Sequence, residues 1–180
     1  GGALEFDGHD YAEIENLAGQ QIHTNQIALG VWVKLNKDVG NAESRIISKQ
    51  LGAENSWALT IYGEGYLGSS GNQVLFHDSD GVSRGYDCMS PTDLSANQWH
   101  HICVTDNGGS IGIYLDGELD YWSENGYGIP SNIPAGLNLG QIDYGSYFSG
   151  LMDDVRIYNR ALDAEEVADL YQSGLWGYGS

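Results

Sequence analysis

The chain has 180 residues, enough for one domain that buries roughly 70% of its unfolded surface without staples. Its 26 glycines, 12 tyrosines and 5 tryptophans, beside only 3 prolines, suit a turn-rich all-β protein. With 25 acids against 7 bases the formal charge is -18, a field that repels nucleic acid and anionic membrane and suits either cation binding or plain solubility.

Leu4 to Phe6 and Tyr11 to Ile14 read as two short strands joined by the Asp7-Gly8 turn, followed by a polar loop over residues 15–26. Ile27 to Leu35 alternates as a strand, with Trp32 either in the core or on the opposite face. Arg45 to Lys49, Ser56 to Tyr62 and Gln73 to His77 are further strands. Gly63 to Asn72, with four glycines and Tyr66, marks an exposed loop. Asp78-Ser-Asp-Gly81 has the opening pattern of an EF-hand loop, but it lacks the later acidic ligand and the flanking helices, so it reads as a turn. Pro91 to Gln98 carries turn residues. Trp99 to Thr105, Ile111 to Leu115 and Glu118 to Trp122 form successive hairpins through Asn107-Gly-Gly109 and Asp116-Gly117. Leu137 to Ile142 and Phe148 to Tyr158 are the last strands. Asp163 to Tyr171 is the one helix, with Asp163 and Glu166 spaced as a capping box and Val167, Leu170 and Tyr171 on one face.

In the last strand, Leu151, Asp153, Val155 and Ile157 alternate with Met152, Asp154, Arg156 and Tyr158. That period places Asp153 on the inward face, where a carboxylate costs several kcal/mol unless it is paired or bound to a cation. Pairing with Arg156, capping of a turn and metal binding are the alternatives. Cys88 and Cys103 show no C-x-x-C spacing, and Cys103 reads as a small buried hydrophobe; a disulfide between the two stays open. No apolar run approaches the ~20 residues of a membrane-spanning helix, and no signal peptide opens the chain. Gly1-Gly2 suggests an interior cut, so the expectation is a single domain over residues 1–180, taken from a longer exported polypeptide.

The stretch Gly150 to Leu162 (G-L-M-D-D-V-R-I-Y-N-R-A-L) followed by D-A-E-E-V resembles the C-terminal signature of the laminin-G-like, concanavalin A-like jelly-roll domains. Ala3 to Gly8, Ile27 to Lys34, Ile46 to Lys49, Trp57 to Ile61, Gln98 to Thr105 and Ile113 to Gly117 resemble their other strands, in the expected order. The resemblance implies an antiparallel β-sandwich with one short C-terminal helix. It also implies a non-catalytic, lectin-like module of an exported bacterial adhesin or polysaccharide-degrading enzyme, at the cell surface or outside the cell. Its partners would be a glycan or other cell-surface ligand and the other domains of the parent chain. The alternative is a protein- or peptide-binding module, or a spacer, without sugar affinity.

Three chemistries are candidates. In jelly rolls of this kind the first and last strands are neighbours, so the resemblance implies a calcium ion held by Asp7, the Gly8 carbonyl and Asp153, with Asp10 and Asp154 nearby. Zinc fits poorly, because adjacent His100 and His101 on a strand point to opposite faces. For sugar, aromatic rings that stack on pyranose faces and polar groups that fix hydroxyls make Trp122, Asn125, Tyr127, Asp143, Tyr144 and Tyr147 the candidates; Trp32, Trp57 and Trp99 sit on strand patterns and read as core. Finally, Glu118-Leu-Asp-Tyr-Trp-Ser-Glu124 resembles the acidic strand of retaining β-glucanases. Its Asp120–Glu124 gap is longer than that motif's, and Glu118 sits at a hairpin tip, so the expectation is no enzyme.

Overall fold

The computed structural model describes residues 2–15, 25–51, 55–65, 68–79, 85–126, 128–129, 136–141 and 146–178. Tyr66 and the Asp80-Gly81 half of the acidic turn lie outside them. Twelve strands form among these residues: β1 Leu4–Asp7, β2 Ala12–Ile14, β3 Ile27–Leu35, β4 Glu43–Leu51, β5 Asn55–Tyr62, β6 Gln73–Ser79, β7 Gly85–Asp93, β8 Trp99–Asp106, β9 Ile111–Leu115, β10 Glu118–Ser123, β11 Leu137–Leu139 and β12 Ser149–Tyr158. One helix, α1, spans Ala164–Tyr178. The strands build two six-stranded antiparallel sheets, β1-β12-β3-β8-β9-β10 and β2-β11-β4-β5-β6-β7, packed face to face as an all-β sandwich of the expected jelly-roll class.

Period-two patterning makes the core. Ile27, Leu29, Val31, Val33 and Leu35 of β3 meet Ile46, Ile47, Trp57, Leu59, Ile61, Val74 and Phe76 of the second sheet, all buried. Two readings of the sequence change here. The Asp7-Gly8 turn does not close a hairpin, because β1 belongs to the first sheet and β2 to the second; the turn carries the chain from one layer to the other. β7 runs through Pro91, which turn chemistry hides in the sequence. It is the edge strand of its sheet, where proline's missing N–H is tolerated.

The last strand differs most from its pattern. A bulge between Asp153 and Arg156, with Asp154 at φ +50°, inserts one residue into the alternation. Met152, Val155 and Ile157 therefore face the core, while Asp153 pairs across to Trp32 on the outer face. Asp153 is not an inward charge. Its Oδ1 accepts the Asp154 N–H at 2.8 Å. Asp154, not Asp153, takes Arg156, whose Nε and Nη2 donate to the two carboxylate oxygens at 2.9 and 2.7 Å.

The outer face of the first sheet is covered by α1. The expected capping box closes reciprocally: Glu166 N–H donates to Asp163 Oδ1 at 2.9 Å, and Asp163 N–H to Glu166 Oε2 at 3.0 Å. Arg160 grips both Glu166 oxygens, and these bonds hold that carboxyl down at about 2. The helix runs past the expected end at Tyr171 because Gly174 has no side chain; a Cβ there would lie 2.2 Å from the Trp32 indole nitrogen. Trp32 thus resolves to the outer face, stacked on Tyr171 at 5.6 Å. Val167 and Leu162 pack on Ala28, Cys103 and Tyr114. Cys103 lies under the helix and Cys88 between the sheets, so the open question of a disulfide is answered: both thiols are free, and burial pushes each up to about 12.

His101 sits under the same helix, 3% exposed, between Trp32 and Tyr171. Burial drives it down to about 4; Asp116 and Asp154 oppose that shift and Arg156 adds to it. Between pH 6.5 and 4 the unfolded chain therefore binds more protons here than the folded one, and stability falls as pH falls through that window. Compared with a His101→Phe variant, which keeps a ring but cannot titrate, the wild type loses on the order of 3 kcal/mol over this range. Denaturant unfolding at pH 7 and pH 4 checks the difference; parallel acid limbs would remove His101 as its source.

Candidate functional site

The recessed surface lies at the end of the sandwich where β3 stops at Leu35. Here residues 36–42 loop across to β4, beside the end of β1 and the start of β12. Asn72 braces that loop: its side-chain amide donates to Asp38 Oδ1 at 2.8 Å and to the Leu94 carbonyl at 3.0 Å, while its Oδ1 accepts the Val39 N–H at 2.9 Å. Gly63 must be glycine, because a Cβ would fall 1.6 Å from the Gly40 carbonyl oxygen. Glu43 accepts from Arg45 and from the Ser146 hydroxyl, and Arg45 Nη1 donates to Thr60 Oγ1 at 2.9 Å. Ser44 Oγ donates to the Tyr147 carbonyl at 3.4 Å. These bonds fix the walls of a groove of about 210 Å³ lined by Gly8, Lys37, Asp38, Glu43, Tyr147 and Ser149. A second cavity of about 290 Å³, lined by Asp38, Glu64, Ser70, Asn72 and Asp93, meets it at Asp38. The half-buried Tyr147 ring lies 6.4 Å from His9. Lys37 is exposed and takes part in no ion pair among the described residues.

The candidate sugar residues that the structure describes, Tyr147, Trp122 and Asn125, do not converge. Tyr147 is in this groove. Trp122, 47% exposed, pairs with Gly112 on the edge strand β10. Four strand spacings separate β10 from β12, about 19 Å. The two residues also lie at opposite ends of the strands: Gly150 pairs with Leu35, whereas the row through Trp122 and Gly112 reaches Thr105 and Ala28. Asn125 is exposed beside Trp122, its N–H on Ser123 Oγ at 3.2 Å. Tyr127, Asp143 and Tyr144 lie outside the described residues. Sequence reasoning named Tyr147 but missed Lys37 and Asp38, which form no motif and meet Tyr147 only through the fold.

The calcium candidates are likewise apart. Asp7 pairs with Ser149 and Leu4 with Met152, so Asp153 lies about 13 Å along β12 from the level of Asp7. Asp7 and Asp10 also spend oxygens on their own turn: the Asp7 N–H donates to Asp10 Oδ1 at 2.9 Å, and Asp7 Oδ1 accepts the His9 N–H at 2.8 Å. Asp7, Gly8 and Asp153 therefore do not fit around one ion. Among the described residues no group of three or more His, Cys, Asp and Glu side chains is placed to hold a metal.

The acids of β10 do not form a glucanase-like row either. A bulge between Leu119 and Tyr121 turns Asp120 out of phase with its neighbours. Its carboxylate accepts the Thr92 hydroxyl at 2.5 Å and the Thr92 N–H at 3.4 Å, tying the edge of one sheet to β7 of the other. Glu118 and Glu124 are exposed.

Comparison with known proteins agrees with the β-sandwich described above. Residues 6–168 match the family model Laminin_G_3, described as the concanavalin A-like lectin/glucanases superfamily. Domain 4 of AbnA, a GH43 extracellular arabinanase from Geobacillus stearothermophilus solved with arabinotriose, superposes with a TM-score of 0.74 at 20% identity, covering 94% of this chain and 76% of that one. A heptameric SAP-like pentraxin from Limulus polyphemus gives 0.70 at 16% identity, over 94% and 81%. A putative carbohydrate binding protein from Bacteroides ovatus gives 0.70 at 21%, over 92% of this chain and 45% of that one. At these identities the likeness shows the fold. No curated protein matches the chain.

If Asp120 is a staple between the sheets, Asp120→Ala lowers stability by about 1 kcal/mol, a drop of roughly 2–4 °C in Tm. Thermal unfolding checks this, and an unchanged Tm would show that the Thr92 contact contributes nothing.

Proposed function

Since this chain belongs to the concanavalin A-like lectin/glucanases superfamily, we propose that it is a non-catalytic carbohydrate-binding module of an exported protein, and that it takes its glycan in the groove at Tyr147. The observation that carries this reading is the groove itself. A half-buried tyrosine ring, fixed through its backbone, stands beside Lys37, Asp38 and Ser149. A ring supplies a stacking face for a pyranose or furanose, and the polar side chains supply donors and acceptors for its hydroxyls. The bracing of the loop by Asn72 favours binding, because little side-chain and loop freedom remains to be lost. The arabinotriose in the AbnA domain and the name of the Bacteroides protein support a glycan as ligand class. Among the described residues no helix is long and apolar enough to cross a membrane.

The mechanism is recognition rather than turnover. Tyr147 stacks, Asp38 accepts hydroxyl protons with the oxygen that Asn72 leaves open, and Lys37 donates. Asp120 serves as a structural tie, and Glu118 and Glu124 are exposed.

Titration against arabino-oligosaccharides and a wider glycan panel tests the assignment. Tyr147→Ala should weaken binding about 3- to 10-fold, the measure of one lost aromatic contact, while Trp122→Ala at the far corner leaves it unchanged. The reverse pattern would move the site to β10. Silence across all glycans with capture of peptides would replace the carbohydrate reading by a protein-binding one.

A further inference from the structure

The end of the sandwich opposite the groove holds charge inside the core. Along β8 the inward positions run Ile102, Val104, Asp106, and along β6 they run Val74, Phe76, Asp78. The two aspartates therefore point into the space between the sheets from opposite layers, and both are 0% exposed. Asp106 Oδ1 accepts the Gly108 N–H at 2.8 Å, the hydrogen bond of its own turn. Its Oδ2 is buried and has no hydrogen-bond partner, and Asp106 takes part in no ion pair among the described residues. Burial first, and then the charge of Asp78, raises Asp106 to about 6, against the pull of the Gly108 N–H. At neutral pH it is still mainly ionised.

We propose that Asp106 and Asp78 bind a calcium ion that bridges the two sheets at this end. A buried carboxylate oxygen without a donor needs a cation, a proton or water. A hard divalent ion offers what Asp106 Oδ2 lacks: it meets oxygen from several directions, accepts two carboxylates at once and completes its shell with carbonyls and water. Calcium suits a site assembled from two sheet ends better than magnesium, which demands a near-ideal octahedron. The ion would neutralise two of the acids in a chain of formal charge -18. The site is distinct from the Asp7, Gly8 and Asp153 grouping and needs no glycan, so it can fail without affecting the carbohydrate reading, and the reverse.

Calcium alone is the probe. Metal-stripped protein titrated with calcium should bind one ion here, with Tm rising by roughly 5–10 °C at a hundredfold excess over Kd. Affinity should fall as pH drops through 6, where protons compete for Asp106. Terbium should bind competitively and luminesce on tryptophan excitation, because Trp57 is the registered neighbour of Asp78. Asp106→Asn should lose the ion, the luminescence and the calcium-dependent part of Tm, and in chelator it should be more stable than wild type at pH 7 because the buried charge is gone. Should Asp106→Asn not fold, Asp78→Asn must show the same losses and Asp153→Ala must show none. Wild type that ignores calcium, or binds it unchanged in both asparagine variants, overturns the proposal.

Discussion

The seating of β12 between β1 and β3 is the constraint on which the other features depend. This strand joins the two ends of the chain in one sheet, and its one-residue bulge sets what each face receives. Before the bulge, Met152 fills the core; after it, Val155 and Ile157 do so again, because the extra residue restores the inward phase. Tyr158 then emerges outward against Leu162 and Val167, where the helix lands. A regular strand would have put Asp153 and Val155 on the same face and forced either a buried charge or an undocked helix. The bidentate Arg156–Asp154 pair holds the bulge, and at its exposure it is worth at most about 1 kcal/mol. Its role is to fix phase rather than to supply stability.

The first sheet consequently has two apolar faces and the second has one. Its inner face meets the second sheet, and its outer face is sealed by α1 through Trp32, Tyr171 and the close approach at Gly174. Burying the outer face places an imidazole where it is held neutral, so the helix contact carries a pH dependence that the sandwich core does not share. Burying the inner face puts Asp106 in the opposite situation: without a metal ion its raised value means that stability is present in full below about 3.8 and is lost as pH rises through about 6. The two groups work against each other between pH 4 and 6, so a flat stability profile there is compatible with two large local terms.

Much of this was legible in the sequence. Most strands, the hairpin turn at Asp116-Gly117 and the Asp163–Glu166 capping box follow from periodicity and turn chemistry, which are local, while the sandwich itself was what the family resemblance implied. The failures share one cause. Bulges at Asp154 and Asp120 each add a single residue without a compositional mark, so strict alternation assigned Asp153 inward and gave no sign that Asp120 turns out of phase toward Thr92. Pro91 hid an edge strand because edge position is a property of the sheet and not of the segment. Among the site residues, Tyr147 was visible as a loop aromatic, but Lys37 and Asp38 come beside it only through the folding of the β3–β4 loop against the start of β12. Trp122 carries the same chemical signal as Tyr147 and sits at the far corner, so composition alone had no means to separate them.

The division of the molecule into two ends has a functional consequence. Strands of eight to ten residues run between the groove at Leu35 and the buried acids at Asp106, roughly 25–30 Å. The intervening layer is close-packed aliphatic and aromatic side chain forming one continuous cluster, and energetic coupling through such a layer requires an element with two discrete arrangements. Charge at one end therefore influences recognition at the other mainly by setting how much of the sandwich stays folded. A binding site built on a loop braced by Asn72 and anchored by Arg45 and Glu43 can then vary in its exposed side chains without disturbing the core. The same scaffold can accommodate different side chains at the groove, and in the proposed reading the choice of glycan falls to Tyr147, Lys37 and Asp38 rather than to the strands that make the fold recognisable.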